Sequence, residues 1–254
     1  MENREYCLQD DGISIHAKLD FPQDREDKKL PLLILIHGFT GHMEEEHLLA
    51  VVRAANEAGF AVLRAEMYGH GESGGSFREH TIYKWIGNAM AVIDHARQMD
   101  FVTDLYLSGH SQGGLLVMLL AAMERDRIRA VLPLSPAAMI PEDARRGELL
   151  GIRFDPEHLP EELWVESENM PLGNNYIRVA QMIDVDDAIR HFTGPVLIVH
   201  GTGDESVPVQ CAIDVAAKYE NAKLVTIPDD THCFDLHPDM LADAVREFLE
   251  TVRR

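Results

Sequence analysis

The chain has 254 residues, 46% of them hydrophobic, enough to bury one substantial core, so a single α/β domain spanning 1–254 is the expected organisation. A formal charge of −20 would repel phosphate backbones and anionic lipid, which argues against nucleic acid and membrane surfaces as partners. The longest apolar run falls far below the ~20 residues that cross a bilayer, and Met1-Glu2-Asn3-Arg4-Glu5 has no basic start leading into an apolar stretch, so a cytoplasmic protein is expected. Cys7, Cys211 and Cys233 are odd in number, far apart and without C-x-x-C spacing, which suggests neither a disulfide framework nor a zinc knuckle. The thirteen histidines show no H-E-x-x-H or comparable ligand spacing, so no metal is expected.

Residues 6–21 alternate loosely around Asp10-Asp11-Gly12, and Asp-Gly readily supplies the positive backbone angles of a tight hairpin; two antiparallel strands should open the sheet. After a charged connection over 23–29, Leu32-Leu33-Ile34-Leu35-Ile36 is the continuous apolar run of a strand buried on both faces. Residues 45–58 carry helical apolar spacing and stop at Gly59, a natural left-handed C-terminal residue, before a strand over 60–63. The stretch Gly69-His70-Gly71-Glu72-Ser73-Gly74-Gly75 lacks the lysine of a phosphate-binding loop and does not match G-x-G-x-x-G, so it reads as a loop that holds no phosphate. Thr81 can cap a helix running to about Met99, followed by a strand at Leu105-Tyr106-Leu107, a buried helix over 115–123 and a strand over 130–134.

Between 136 and 193 the alternation breaks down. Pro141, Pro156, Pro160, Pro171, dense charge and short apolar clusters such as Leu163-Trp164-Val165 replace it. A structureless loop this long does not suit a compact domain, so the segment is expected to hold short helices and to act as a lid or cap inserted after the sixth strand. The regular pattern then resumes with a strand over 195–200, a helix over 209–219, a strand over 224–227 and a closing helix over 240–252. The count predicts two hairpin strands followed by six parallel ones: an eight-stranded, mostly parallel sheet flanked by helices.

Gly109-His110-Ser111-Gln112-Gly113 puts a hydroxyl between two glycines at a strand-to-helix junction. A serine there takes a strained conformation that pushes its oxygen above the sheet, which makes Ser111 a candidate nucleophile. Such a serine needs a base and a carboxylate to orient it, both on the same edge of the sheet. His232, on the loop after the eighth strand, is the candidate base, with His237 the weaker one. Asp204, in His200-Gly201-Thr202-Gly203-Asp204 after the seventh strand, is the candidate acid, with Glu205 its competitor. Asp229 and Asp230 are so near His232 in sequence that support of the ring from either would be geometrically awkward. After the third strand, His37-Gly38-Phe39 is similar to the H-G-x segment whose main-chain N–H helps hold an oxyanion; Phe39 and Gln112, the residue after the nucleophile, would act through their amides.

The order of parts, His37-Gly38-Phe39, the Gly69-His70-Gly71-Glu72-Ser73 loop and Gly109-His110-Ser111-Gln112-Gly113 together resemble the α/β-hydrolase superfamily over nearly the whole chain. Within it, His37-Gly38-Phe39-Thr40-Gly41, Asp230-Thr231-His232-Cys233-Phe234 and the short lid resemble bacterial feruloyl (cinnamoyl) esterases, which cleave hydroxycinnamate esters. One departure is Glu66, where the superfamily usually has Asp; it bears on how the glycine-rich loop is supported, not on catalysis. The resemblance implies a serine carboxylester hydrolase with a small-molecule ester substrate, no cofactor, no nucleic acid and no membrane, a homodimer being left open. It further implies that Asp143 and Tyr176 bind the 4-hydroxyl of a phenolic acyl group, and that Trp164, with Leu163, Leu149 and Ile152, binds the substrate as the apolar lid wall that holds its ring. Two plainer roles compete: Asp143 can favour a helix dipole just after Pro141, and Tyr176 can simply pack the lid. Another acyl substrate (thioester, lactone, peptide or short-chain ester) and a non-catalytic ligand-binding role also stay open, since the fold does not select among them.

Overall fold

The computed structural model describes residues 3–23, 29–165 and 169–253; most of the charged connection expected over 23–29 lies outside them. A hairpin opens the chain, β1 (Asn3–Asp10) and β2 (Ile13–Asp20), turned by Asp11 at φ 45° and Gly12 at φ 78°. Two consecutive positive φ values are the geometry that matches the right-handed twist of paired strands, which is why Asp-Gly sits there. There follow β3 (Leu30–Ile36), α1 (Glu46–Glu57), β4 (Ala61–Ala65), a 3₁₀ turn at Phe77–Glu79, α2 (Ile82–Arg97), β5 (Val102–His110), α3 (Gln112–Met123) and β6 (Ile128–Leu134). Thr81 caps α2 as expected, its Oγ1 accepting from the Lys84 amide at 3.1 Å; such a cap is worth about 1 kcal/mol.

The segment after β6 contains α4 (Ile140–Arg146), β7 (Glu148–Leu149), β8 (Ile152–Arg153), β9 (Glu162–Val165), β10 (Met170–Gly173), α5 (Asn175–Met182) and α6 (Val185–His191). The short helices were expected. The two antiparallel ribbons, β7 with β8 and β9 with β10, were not, because strands of two to four residues are too short to show a period of two. The chain closes with β11 (Val196–Gly201), α7 (Val209–Lys218), β12 (Ala222–Ile227) and α8 (Pro238–Val252).

One eight-stranded sheet runs in the order β1-β2-β4-β3-β5-β6-β11-β12. The β1–β2 and β2–β4 pairings are antiparallel and the rest are parallel, as the alternation predicts. All seven residues of β3 are buried, and their alternation divides the interior. Leu32, Ile34 and Ile36 join one core with Trp85 of α2 and Leu116 of α3, whereas Leu33 and Leu35 join a second core with Val51 of α1 and Val245 of α8. Each such burial contributes ~1.5–3 kcal/mol before entropy is counted. Because the chain steps from β3 out to β4 and then back past β3 to β5, the winding reverses between β3 and β5. Ligands of open α/β sheets bind at the carboxyl ends of strands at such a reversal, and here those ends carry His37-Gly38-Phe39 and Ser111.

Candidate active site

Ser111 has φ 55° and ψ −116°, a conformation that costs a non-glycine residue about 1–3 kcal/mol. Its neighbours enforce it: the Ser111 amide donates to Leu134 O at 2.9 Å, and its carbonyl accepts from Ala137 N at 3.0 Å and Leu115 N at 3.1 Å. Gly109 and Gly113 are required by close approach. A side chain on Gly109 would run into the Gly113 carbonyl, and one on Gly113 into the carbonyls of Ile36 and His37. The elbow therefore locks β5 against the end of β3.

His232 Nδ1 lies 2.6 Å from Asp204 Oδ2, so the Nδ1 proton is donated to the carboxylate and the Nε2 lone pair stays free to accept one. The Asp204 side chain is fully buried; its Oδ1 accepts from the amides of Ser206 and Val207, both at 2.8 Å, and its Oδ2 also lies 3.1 Å from His200 Nε2. Burial would push this carboxyl up, but the contacts from His200, His232 and the Val207 amide outweigh it and hold the group well below the usual carboxylate range. Asp204 is thus an ionised acceptor at neutral pH. Glu205 is exposed, and Asp230, the nearer acid in sequence, is fully buried with its oxygens taken by the amides of Thr231, Leu236 and His237. Asp230 shapes the loop that carries His232. The His232 carbonyl is itself held, accepting from His110 Nε2 at 2.9 Å and from Ser135 Oγ at 3.2 Å. His237 caps the start of α8, half exposed.

His37 is buried between β3 and the segment after β4: the Met67 amide donates to its Nε2 at 3.0 Å and its Nδ1 donates to Gly38 O at 2.7 Å. Burial pushes it down to about 3, so it is a neutral strut. The Phe39 ring packs edge-on to Phe77 and Tyr176. Glu66 does brace the glycine-rich loop despite its extra methylene, its Oε2 accepting from the Glu72 amide at 2.6 Å and approaching His16 Nδ1 at 3.2 Å. The longer side chain fits because Gly71 leaves it the space that a Cβ would fill.

An open groove of about 1380 Å³ lies beside this edge, lined by Phe39, Asp143, Leu149, Leu163, Trp164 and Glu205 among others. Burial, then the nearby Glu148 and Glu142, raise the Asp143 carboxyl above its ordinary value against the opposing pull of Arg146. Trp164 is half exposed. Tyr176 lies beneath the groove rather than in its wall, fully buried, with its hydroxyl donated to Gln112 Oε1 at 2.6 Å. His200, His110 and Ser135 were not singled out from sequence; the signals available were that His110 sits between Gly109 and Ser111 and His200 at the end of a strand, four residues before Asp204. A larger groove, about 1570 Å³, opens at the opposite end of the strands, around Val102 and Pro195, away from these groups.

A family model described as serine aminopeptidase, S33 matches residues 27–169, and one described as TAP-like protein matches residues 177–254. The chain belongs to the serine aminopeptidase S33 family of α/β-hydrolases. Among solved structures, this hydrolase is 55% identical to Est1E from Butyrivibrio proteoclasticus with ferulic acid bound, covering 98% of this chain and 100% of that one, with a TM-score of 0.95. A second structure of Est1E gives 52% identity and a TM-score of 0.92. Among curated proteins it is 25% identical to the mouse mitochondrial palmitoyl-protein thioesterase ABHD10, over 83% of this chain and 72% of the other. This hydrolase is an enzyme of the carboxylic ester hydrolase class, similar to Est1E, with a small-molecule ester as its substrate. Among the described residues no helix is long and apolar enough to cross a membrane.

Proposed function

We propose that this hydrolase cleaves hydroxycinnamate esters, feruloyl and p-coumaroyl, through an acyl-enzyme on Ser111. The observation that carries the substrate reading is the full-length likeness to Est1E with ferulic acid bound. In the first half-reaction His232 Nε2 takes the Ser111 hydroxyl proton as Oγ attacks the ester carbonyl, and the Phe39 and Gln112 amides hold the resulting oxyanion. Collapse breaks the ester C–O bond, and the proton on His232 passes to the departing alcohol. Water then repeats the attack with the same base, releasing the acid and restoring the Ser111 hydroxyl. Asp204 keeps the imidazole in the tautomer that can accept, which the 2.6 Å bond to Nδ1 supports. No cofactor enters these steps.

Segment 136–193 serves as the lid, and its face of the groove receives the acyl group. Leu149, Leu163 and Trp164 provide apolar walls for a flat ring, and the Asp143 carboxylate is the acceptor for a phenol proton. Tyr176 supports the same pocket from below through Gln112. The test compares kcat/KM on methyl ferulate, methyl p-coumarate, methyl cinnamate and a palmitoyl thioester. The reading requires the two hydroxylated esters to be the best substrates; a preference for the palmitoyl thioester, or for long-chain aliphatic esters, would overturn it.

A further inference from the structure

The sequence gives no metal-ligand spacing, yet the fold assembles a ligand set from three separate elements. His47 on α1, His110 at the end of β5 and Cys233 on the His232 loop each bring one ligand atom to within 4.8 Å of the others. No sequence pattern could have shown this, because the three residues come together only through the sheet. His47 Nε2 is buried and has no hydrogen-bond partner, in a residue that is 4% exposed. A buried polar atom left in that state costs ~1–3 kcal/mol, so a native structure that keeps one calls for a ligand or a reason. Its ring lies 4.2 Å from that of His110, centroid to centroid.

We propose that His47, His110 and Cys233 form a binding site for a thiolate- and imidazole-preferring cation of the Zn²⁺ class, and that its occupation switches the hydrolase off. Two imidazoles and one thiolate suit such an ion, with a fourth position left for water. Tetrahedral ligands on zinc stand roughly 3.3–3.8 Å apart, so side-chain adjustment of up to about an ångström closes the present separation. The Cys233 thiol proton is released to solvent as the metal–sulfur bond forms. The carboxylate of Glu45, whose Oε2 is buried without a partner, lies near enough for its charge to be felt at Cys233 and would offset the cation's charge.

The inhibitory consequence follows from what His110 and Cys233 touch. His110 Nε2 holds the His232 carbonyl, its ring lies 4.6 Å from the His232 ring, and Cys233 is the next residue along. Drawing those two side chains onto a metal moves the main chain that positions the base. A cation there also opposes the positive charge His232 must take up when it accepts the serine proton. The ligand set itself is independent of the proposed triad; only the inhibition rests on it, and the two can be tested separately.

The experiment uses the whole protein with Co²⁺ as a spectroscopic substitute for Zn²⁺, followed by Zn²⁺ alone in the esterase assay. Wild type should show a thiolate-to-cobalt charge-transfer band, and Cys233→Ser should lose it. Micromolar Zn²⁺ should inhibit wild type reversibly, with activity restored by a chelator. His47→Gln and Cys233→Ser should keep basal activity but need far more zinc. Even loss of an outer-shell partner costs ~10–100-fold in metal affinity, so loss of a ligand should cost at least that. The absence of a charge-transfer band in wild type would overturn the site whatever the variants do. Equal inhibition of wild type and both variants would place the zinc on the His232 imidazole instead, and would overturn the switch while leaving the triad intact.

Discussion

Two walls meet at the carboxyl edge of the sheet, and they are built differently. One is made by the ends of β3, β5, β11 and β12, where Ser111, Asp204 and His232 are each fixed by several main-chain or buried hydrogen bonds. The other is made by segment 136–193, from ribbons of two to four residues and a half-exposed Trp164. The first wall is over-determined, so it can hold a strained serine at a cost of ~1–3 kcal/mol. The second packs its inner face into the main core through Leu163, Leu172, Tyr176 and Ile177, but its outer ribbons are short and partly exposed. Changes in the sheet wall should therefore lower turnover for every ester alike, and changes in the lid wall should act selectively on hydroxylated substrates.

The largest effect expected is from Ser111→Ala, which removes the proposed nucleophile: turnover should fall on the order of 10⁶-fold on all esters. A serine-directed phosphonate should label Ser111 alone in wild type, and labelling elsewhere would break the assignment. Asp204→Asn should cost on the order of 10⁴-fold in kcat, because an amide can donate to Nδ1 and favour the wrong imidazole tautomer. Glu205→Gln, on an exposed neighbour, should change little; the reverse pattern would move the acid to Glu205.

Asp143→Ala sharpens the comparison. A hydrogen bond to a charged group is worth ~1.5–3 kcal/mol, so kcat/KM for methyl p-coumarate should drop about ten- to a hundredfold while that for methyl cinnamate barely moves. Equal losses on both would make Asp143 a structural lid residue. Its carboxyl is raised above the ordinary value, so on acidification it protonates sooner than an exposed aspartate would. The preference of wild type for the hydroxylated ester should accordingly fade as pH drops through that raised value, and variants at Asp143 should lack this pH dependence.

Stability should also separate the two regions. His37 and His80 are pushed down to about 3 and His47 to about 4, chiefly by burial, all near the sheet's carboxyl edge. A histidine with a depressed folded-state value leaves stability intact above the unfolded value near 6.5. Stability is then lost as pH falls below it, because only the unfolded chain takes up the proton. Each of the three should cost on the order of 2 kcal/mol by pH 5. Urea midpoints measured from pH 7 to pH 5 should decline steadily; a flat profile would mean these rings are hydrated. The smallest effect expected is from Tyr176→Phe. It leaves Gln112 Oε1 unpaired and should lower stability by ~1–3 kcal/mol, with a few-fold loss of kcat on every ester. A loss confined to hydroxylated esters would instead assign Tyr176 a direct contact with substrate.

The same contrast accounts for what the sequence disclosed. The turn at Asp11-Gly12, the two-faced apolar run of β3, the Thr81 cap and the glycines around Ser111 each answer a local steric or hydrogen-bonding need, and local needs are written locally. Thus the sheet, its order of elements and the Asp204–His232 pair could be read in advance. The ribbons of segment 136–193 could not, since such short strands are set by what they pack against. Nor could the brackets on His232: His110 and Ser135 meet its carbonyl only after the chain has folded across the sheet. Glu66 shows a third case, in which a longer side chain still supports its loop because Gly71 concedes the volume.

The Tyr176–Gln112 hydrogen bond crosses the boundary between those two walls. Anyone retailoring this enzyme by transplanting a foreign lid in place of residues 136–193 would therefore be exchanging more than a specificity cassette. A donor segment lacking a hydroxyl at that depth would leave the Gln112 amide beside Ser111 without its anchor. Chimeras should be screened first for retention of that tyrosine, and only then for the new acyl group they accept.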